Sequence, residues 1–210
     1  MAKVSDPIIE WGVASQTVGN EAVSGDIHLV KVLPGKALVA VIDGVGHGEA
    51  AAEAAQIAAD CLRKYAGDSL AELMGKCHWA LIATRGAVIS LAEFSAADNT
   101  MAWLGVGNVD GFLLRRNASR RPACEGLLPN RGLVGDCLPP LAASVLPVDN
   151  GDVLIFATDG IRPGFADRIM PSNPPQQIAD QILAWLSVGS DDALVLVVRY
   201  VNGSRRDSTR

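Results

Sequence analysis

Short runs of branched apolar residues alternate along this chain with stretches of helical period, and their order sets the expected fold class. Ile8 to Ala14 reads as a first strand, with Trp11 as its large anchor, and Asp26 to Leu33 as a second. Pro34-Gly35 turns the chain into a third, Ala37 to Ile42, which is apolar on both faces and so expected to lie buried in a sheet. From Glu49 to Tyr65 the period becomes helical, with Ala50, Ala54, Ile57, Ala58, Cys61, Leu62 and Tyr65 on one face. So many alanines suit close packing onto a sheet. Ser69 and Glu72 have the spacing of a capping box for a second helix, whose inward stripe is Leu70, Leu73, Met74, Cys77 and Leu81.

The middle of the chain changes character. Ala87 to Phe94, Thr100 to Gly105 and Val109 to Arg115 are strand-like, with turn residues Asp98-Asn99 and Gly107-Asn108 between them. Strands that follow one another without helices imply antiparallel pairing. Residues 117–140 are rich in proline, glycine and arginine and carry no period; a solvated loop and a surface for an acidic partner both fit. Leu141 to Val148 and Val153 to Thr158 read as two further strands around Asn150-Gly151. A third helix starts with Asn173 as cap and Pro174 at its first position, turning Ile178, Ile182, Trp185 and Leu186 inward. Ala193 to Val201 is the last strand. This order predicts one α+β domain over residues 1–201, with helices covering a pair of sheets, and a disordered polar tail at 202–210.

Composition narrows the function. Of 210 residues, 49% are hydrophobic and 20% charged, enough apolar material for a large core. A net charge of -5 offers no field for nucleic acid or an anionic membrane. Lys3, Asp6 and Glu10 do not suit a signal peptide, and no apolar run approaches a membrane span, so a cytoplasmic location is expected. Cys61, Cys77, Cys124 and Cys137 form no C-x-x-C pair and read as reduced packing residues.

The candidate chemistry begins at Asp43, where the third strand breaks into Gly44-Val45-Gly46-His47-Gly48 before the first helix. A dinucleotide loop would need glycines in the order G-x-G-x-x-G, but Glu49 stands at the sixth position and Asp43 would face a pyrophosphate with like charge. An aspartyl-phosphate nucleophile lacks a lysine or second acid at a telling spacing. On the loop alone, a metal ligand and a turn that merely caps the helix remain open. The pattern recurs, however. Asp159-Gly160 follows a strand, Asp191-Asp192 precedes the last one, and Ser24-Gly25-Asp26 opens the strand beside that of Asp43. Oxygen ligands without a cysteine pair suit magnesium or manganese rather than zinc.

DGVGHG at 43–48, ATDG at 157–160 and SDDA at 190–193 resemble the metal-binding motifs of the 2C-type metal-dependent serine/threonine phosphatases. The resemblance is strongest to their bacterial branch, which takes in SpoIIE, RsbU and RsbX, and within it to the RsbX-like members. It extends to SGD at 24–26, TRGA at 84–87 and VGNV at 106–109, and covers the chain from about Trp11 to Tyr200. It implies a four-layer α-β-β-α sandwich of two mainly antiparallel sheets flanked by helices. It also implies two divalent cations, magnesium or manganese, and hydrolysis of phosphoserine or phosphothreonine by a water that the two metals activate. By the same likeness Asp43 would bridge the metals and the Gly44 carbonyl would bind one of them. Asp159 and Asp191 would complete the set, and Asp26 would contribute directly or through water. Arg85 and His47 are candidates for contact with substrate, whereas His28 and His78 read as structural.

The family's last motif usually reads DD-x-T, and here Leu194 takes the fourth position. A catalytically weak or inactive binding module of the same fold is therefore the alternative, with an aspartyl-phosphate phosphotransferase a further rival. RsbX-like members imply a partner too: phosphorylated STAS-domain proteins of a stressosome, acted on as negative feedback.

Overall fold

The computed structural model describes residues 7–19, 21–117, 119, 122–166 and 169–202. In chain order the elements are β1 (Ile9–Gln16), β2 (Asp26–Leu33), β3 (Lys36–Gly44), α1 (Glu49–Lys64), α2 (Leu70–Leu81), β4 (Ala87–Ser95) and β5 (Thr100–Val106). Then come β6 (Asp110–Leu114), β7 (Cys124–Leu127), β8 (Ser144–Pro147), β9 (Val153–Ala157), α3 (Pro175–Leu186) and β10 (Ala193–Tyr200). The strands form two five-stranded sheets, ordered β1-β10-β9-β6-β7 and β2-β3-β4-β5-β8, and every neighbouring pair is antiparallel.

Three apolar clusters define the layers. Leu38, Ala40 and Ile42 of β3 meet α1 and α2 on one side of the β2–β8 sheet. Ala37, Val39 and Val41 of the same strand face Leu194, Leu196 and Val198 of β10 between the sheets. Val195 and Val197 turn outward onto Ile178 and Ile182 of α3. Strict alternation along β3 and β10 thus feeds two cores from each strand, which is why both read as continuous apolar runs. The four-layer arrangement is the one expected.

Local expectations fared unevenly. The capping box at Ser69 forms, and the buried stripe of α2 is the expected one. In α1 the fully buried face is Ala51, Ala54, Ala55, Ala58, Ala59 and Leu62, with Ile57, Cys61 and Tyr65 of the expected stripe only partly buried at its margin. The helix packs on β2, β3 and α2 together, so its buried stripe is broader than a single sheet contact would require. Trp11 is 45% exposed rather than an anchor. It lies on an edge strand, with its ring 5.6 Å from that of His28 of β2, centre to centre. Trp185 is 56% exposed, because the apolar stripe of α3 continues through Leu186 and that helix starts one residue later than expected, with Pro174 as its cap. Within the aperiodic stretch the sequence did not reveal β7, which pairs with β6 through only four residues. The tail beyond Asn202 lies outside the described residues.

Gly12 marks the closest approach of α3 to β1: a Cβ there would sit 2.3 Å from the backbone nitrogen of Gln176. From the same contact the Gln176 side-chain amide accepts from the Val13 N–H at 3.1 Å and donates to the Val13 carbonyl at 2.7 Å. The outer rim of β1 is thereby hydrogen-bonded as if by another strand.

Two glycine substitutions separate these effects. Gly12→Ala is expected to destabilise the fold by about 1–3 kcal/mol through overpacking. Gly75→Ala, in mid-helix of α2 with nothing within 4 Å of the new methyl, should stabilise it by about 0.4–1 kcal/mol. Urea unfolding of both variants reads the two signs.

Candidate metal centre

Register brings the acids together. Asp26, the first residue of β2, lies directly opposite Asp43 near the end of β3. Asp110 opens β6 opposite Ala157, the last residue of β9, and Asp159 follows two residues later. Asp191 and Asp192 immediately precede β10, the neighbour of β9. Strand ends from both sheets therefore deliver their carboxylates to one edge of the sandwich. The two Asp-Gly pairs have a steric cause. A Cβ on Gly44 would lie 2.1 Å from the Ala51 carbonyl of α1, and one on Gly160 2.0 Å from the Asp192 carbonyl. Each glycine lets another segment cross tightly over the strand end that carries the acid.

A cavity of about 200 Å³ opens there, walled by Asp43, Gly46, Asn108, Asp159 and Asp191 with Val45 and Val88. Of the expected site residues, Asp43, Asp159 and Asp191 share this wall. Asp26 and Gly44 stand behind it, both buried. Asp26 is held there by the Thr158 hydroxyl, which donates to it at 2.7 Å while accepting from the Leu194 N–H at 2.8 Å. Arg85 is exposed at the rim, its Nη1 3.0 Å from where a Cβ on Gly46 would stand. His47 is not in the cavity. Its Nδ1 pairs with Glu21 at 3.1 Å, and the ring lines a neighbouring hollow of about 360 Å³ with Val18, Gly19 and Ser190. His78 accepts from the Gly135 N–H, a structural bond as expected.

Burial, reinforced by the neighbouring carboxylates, pushes Asp43 up to about 8; Asp26, Asp159, Asp191 and Asp192 all act on it. Burial likewise raises Asp26 to about 7, against the lowering effect of the Thr158 bond. Asp110 is raised by burial and by Asp159. The fold can neutralise an acid when a base is supplied: at the β6–β7 pair, buried Arg115 bonds Asp152 at 2.9 Å and Glu125 at 3.0 Å. No described basic side chain is paired with the acids of the cavity.

Four carboxylates without a cationic partner form an all-oxygen donor set suited to hard divalent ions. Among the described residues no three acidic, imidazole or thiol groups yet close on one point as a finished cage. Asp43, Asp159 and Asp191 stand around one shared space.

Several contributors escaped the sequence reading. Asn108 donates to Asp159 at 2.9 Å. Asp192 is buried beside Asp191 and accepts from the Val18 and Gly25 N–H groups at 2.7 and 2.6 Å, tying the segment before β2 to the start of β10. Its motif was visible, but the division of labour within the Asp-Asp pair was not. Leu194 places its side chain in the core between the sheets, and its N–H, not its side chain, engages Thr158.

Residues 34–201 match the family model of stage II sporulation protein E (SpoIIE). The chain is 23% identical over 175 residues to the phosphoserine phosphatase RsbX of Bacillus subtilis (strain 168), covering 82% of this chain and 85% of that protein. Its fold is similar to a structure from the bacterial stressosome, described as a modular system adapted to control secondary messenger signalling (TM-score 0.84, 28% identity, 91% of this chain and 99% of the other). It is also similar to RsbX in complex with magnesium (TM-score 0.82, 21% identity, 91% and 95%).

The raised carboxyls make a pH prediction for cation-free protein. Asp43 and Asp26 keep their protons when folded at pH values where the unfolded chain, with an ordinary carboxyl value of 3.8, has released them. Stability should therefore fall as pH rises above that value and level off above about 8, once Asp43 has ionised in the folded state too. Asp43→Asn should flatten the slope. Thermal melts in chelator across this range check it, and a stability that rises with pH would contradict the assignment.

Proposed function

The chain belongs to the SpoIIE family, and on that premise we propose that it is a metal-dependent phosphatase acting on phosphoserine and phosphothreonine in proteins. The observation that carries this reading is the set of aspartates from both sheets around one cavity, with no described base to balance them. Divalent cations, magnesium or manganese, held by this set supply a hydrolytic nucleophile at neutral pH and the positive charge that phosphoryl oxygens need.

The roles follow from position. Asp43 lies in the field of Asp26, Asp159, Asp191 and Asp192 and would be the central ligand of the set. Asp159 and Asp191 complete the set from the same cavity wall, and Asp26 and the Gly44 carbonyl contribute from behind it. Asn108 fixes one oxygen of Asp159 and so sets the direction of the other. Thr158 does the same for Asp26. Arg85, beside Gly46, reaches phosphoryl oxygens with a planar, permanently charged fork. His47, tied to Glu21, belongs to the hollow where the flank of a protein substrate would rest.

A cavity of about 200 Å³ admits a phosphorylated side chain and little else, so contacts away from the phosphate must supply orientation. The likeness to RsbX and to a stressosome structure supports STAS-domain proteins of such a complex as the substrate and negative feedback in the cytoplasm as the setting. The Thr158 hydroxyl that accepts from the Leu194 N–H supports an active site organised without a hydroxyl at position 194.

Hydrolysis of a small aryl phosphate tests the reaction. Turnover is expected with manganese and lost with chelator. Asp159→Asn and Asp191→Asn should abolish it and shrink the manganese-dependent rise in Tm that the parent shows. A parent with neither turnover nor a metal-dependent Tm would overturn the proposal. Separately, Arg85→Ala should raise KM about tenfold or more while leaving metal-dependent stabilisation intact, as the loss of a charge-assisted bond worth about 1.5–3 kcal/mol predicts.

A further inference from the structure

Away from the metal centre, the outer face between α1 and α2 holds two thiols. Cys77 of α2 is fully buried, and its Sγ lies 3.8 Å from the Ala58 carbonyl of α1. Cys61 stands one helical turn beyond Ala58 and packs against the same apolar cluster that buries Cys77. Neither Cys61 nor Cys77 is in a disulfide.

Unlike Cys77, Cys61 reaches solvent. It lines a hollow of about 420 Å³ with Lys64, Tyr65, Lys76 and Trp79. The ammonium groups of Lys64 and Lys76 lie 4.9 and 4.2 Å from the centre of the Tyr65 ring, and Lys76 also bonds Asp68. Asp60 on α1 pairs with Arg63 at 2.5 Å, which takes up the acid nearest to Cys61 in sequence. The hollow therefore combines a reachable sulfur, cationic surroundings, an apolar wall and a second thiol directly behind.

We propose that Cys61 and Cys77 form a reactive dithiol whose substrate is a hydroperoxide, with Cys61 as the attacking and Cys77 as the resolving sulfur. The Cys77 thiol and the Lys76 and Lys64 ammoniums hold the Cys61 thiol down at about 7, against the opposing effect of burial, so much of it is thiolate at neutral pH. Burial and the Cys61 sulfur push Cys77 up, which keeps it a thiol until it is needed. In the first step the Cys61 thiolate attacks the terminal peroxide oxygen. An S–O bond forms, the O–O bond breaks, and the alcohol or water leaves with a proton from solvent; sulfur is oxidised by two electrons and the peroxide reduced. In the second, the Cys77 sulfur displaces hydroxide from the Cys61 sulfenic acid. The S–S bond forms, the S–O bond breaks, and the hydroxide departs as water with the Cys77 proton. The product staples α1 to α2, and a dithiol reductant restores it.

The test uses the full chain with Cys124→Ser and Cys137→Ser, so that only this pair can react. Stoichiometric hydrogen peroxide should remove both remaining thiols, with loss of two hydrogens in the intact mass and full reversal by dithiothreitol. Cys77→Ala should instead accumulate a Cys61 sulfenic acid that dimedone captures, at least tenfold more than the pair does. Cys61→Ser should leave Cys77 unreacted on the same timescale. Two free thiols after treatment, oxidation of Cys61 alone to sulfinic acid, or a Cys61→Ser variant that reacts as fast as the pair would each overturn the proposal. Circular dichroism of each variant separates loss of reactivity from loss of fold.

Discussion

Like charges that cannot separate are the constraint around which this molecule is arranged. Asp26 and Asp43 are cross-strand neighbours, and strand ends of the other sheet bring Asp159 and Asp191 to the same edge. A carboxylate in such a place destabilises the fold unless it is protonated, hydrogen-bonded or balanced by a cation. Each remedy is visible in the chain's own residues. Asp26 takes the Thr158 hydroxyl, Asp159 the Asn108 amide and Asp192 two backbone N–H groups, whereas Asp43 has only its raised proton affinity. The glycines that follow Asp43 and Asp159 belong to the same solution, since crossing segments pack directly over them. At the β6–β7 pair the same fold solves the problem with Arg115, which the acids at the cavity edge lack among the described residues.

Much of this was legible from residue order, and the boundary of legibility has a physical meaning. The span of β2, the capping box of α2 and the buried stripe of that helix depend on neighbours a few residues away, and they were read correctly. Asp43, Asp159 and Asp191 stood out as a group, because an acid at the tip of an apolar strand is conspicuous whatever lies opposite, and the three do line one cavity. What failed depended on distant partners. Trp11 looks like an anchor until its strand proves to be an edge, and the face of α1 turns because three elements share it. Thr158 and Asp26 are 132 positions apart, and Asp192 and Gly25 are 167. No local pattern marks such pairs. Arg85 and His47 show the same limit from the other side: His47 belongs to the loop and Arg85 lies beyond α2, yet it is Arg85 that borders the cavity while His47 turns to Glu21.

Leu194 shows what stands behind one motif letter in the fold. Read alone, leucine for threonine removes a hydroxyl from the last strand. In the fold, a hydroxyl does bond the backbone at that point, but it comes from the neighbouring strand and bonds an acid of the opposite sheet as well. The leucine side chain is then free to fill the space between the sheets. One threonine thus couples sheet packing to the placement of Asp26, so a substitution there would disturb both.

The amide of Gln176 has a bearing on how this chain meets other chains. A strand at the rim of a sheet is a template, since its unpaired N–H and carbonyl groups can recruit any extended segment and seed aggregation. On β1, the Val13 pair is already occupied by a side chain anchored on α3. An invading strand would have to displace a partner held at high local concentration before gaining its own bonds there. One glutamine thereby gives this rim of the first sheet a measure of protection against cross-β recruitment without adding a strand.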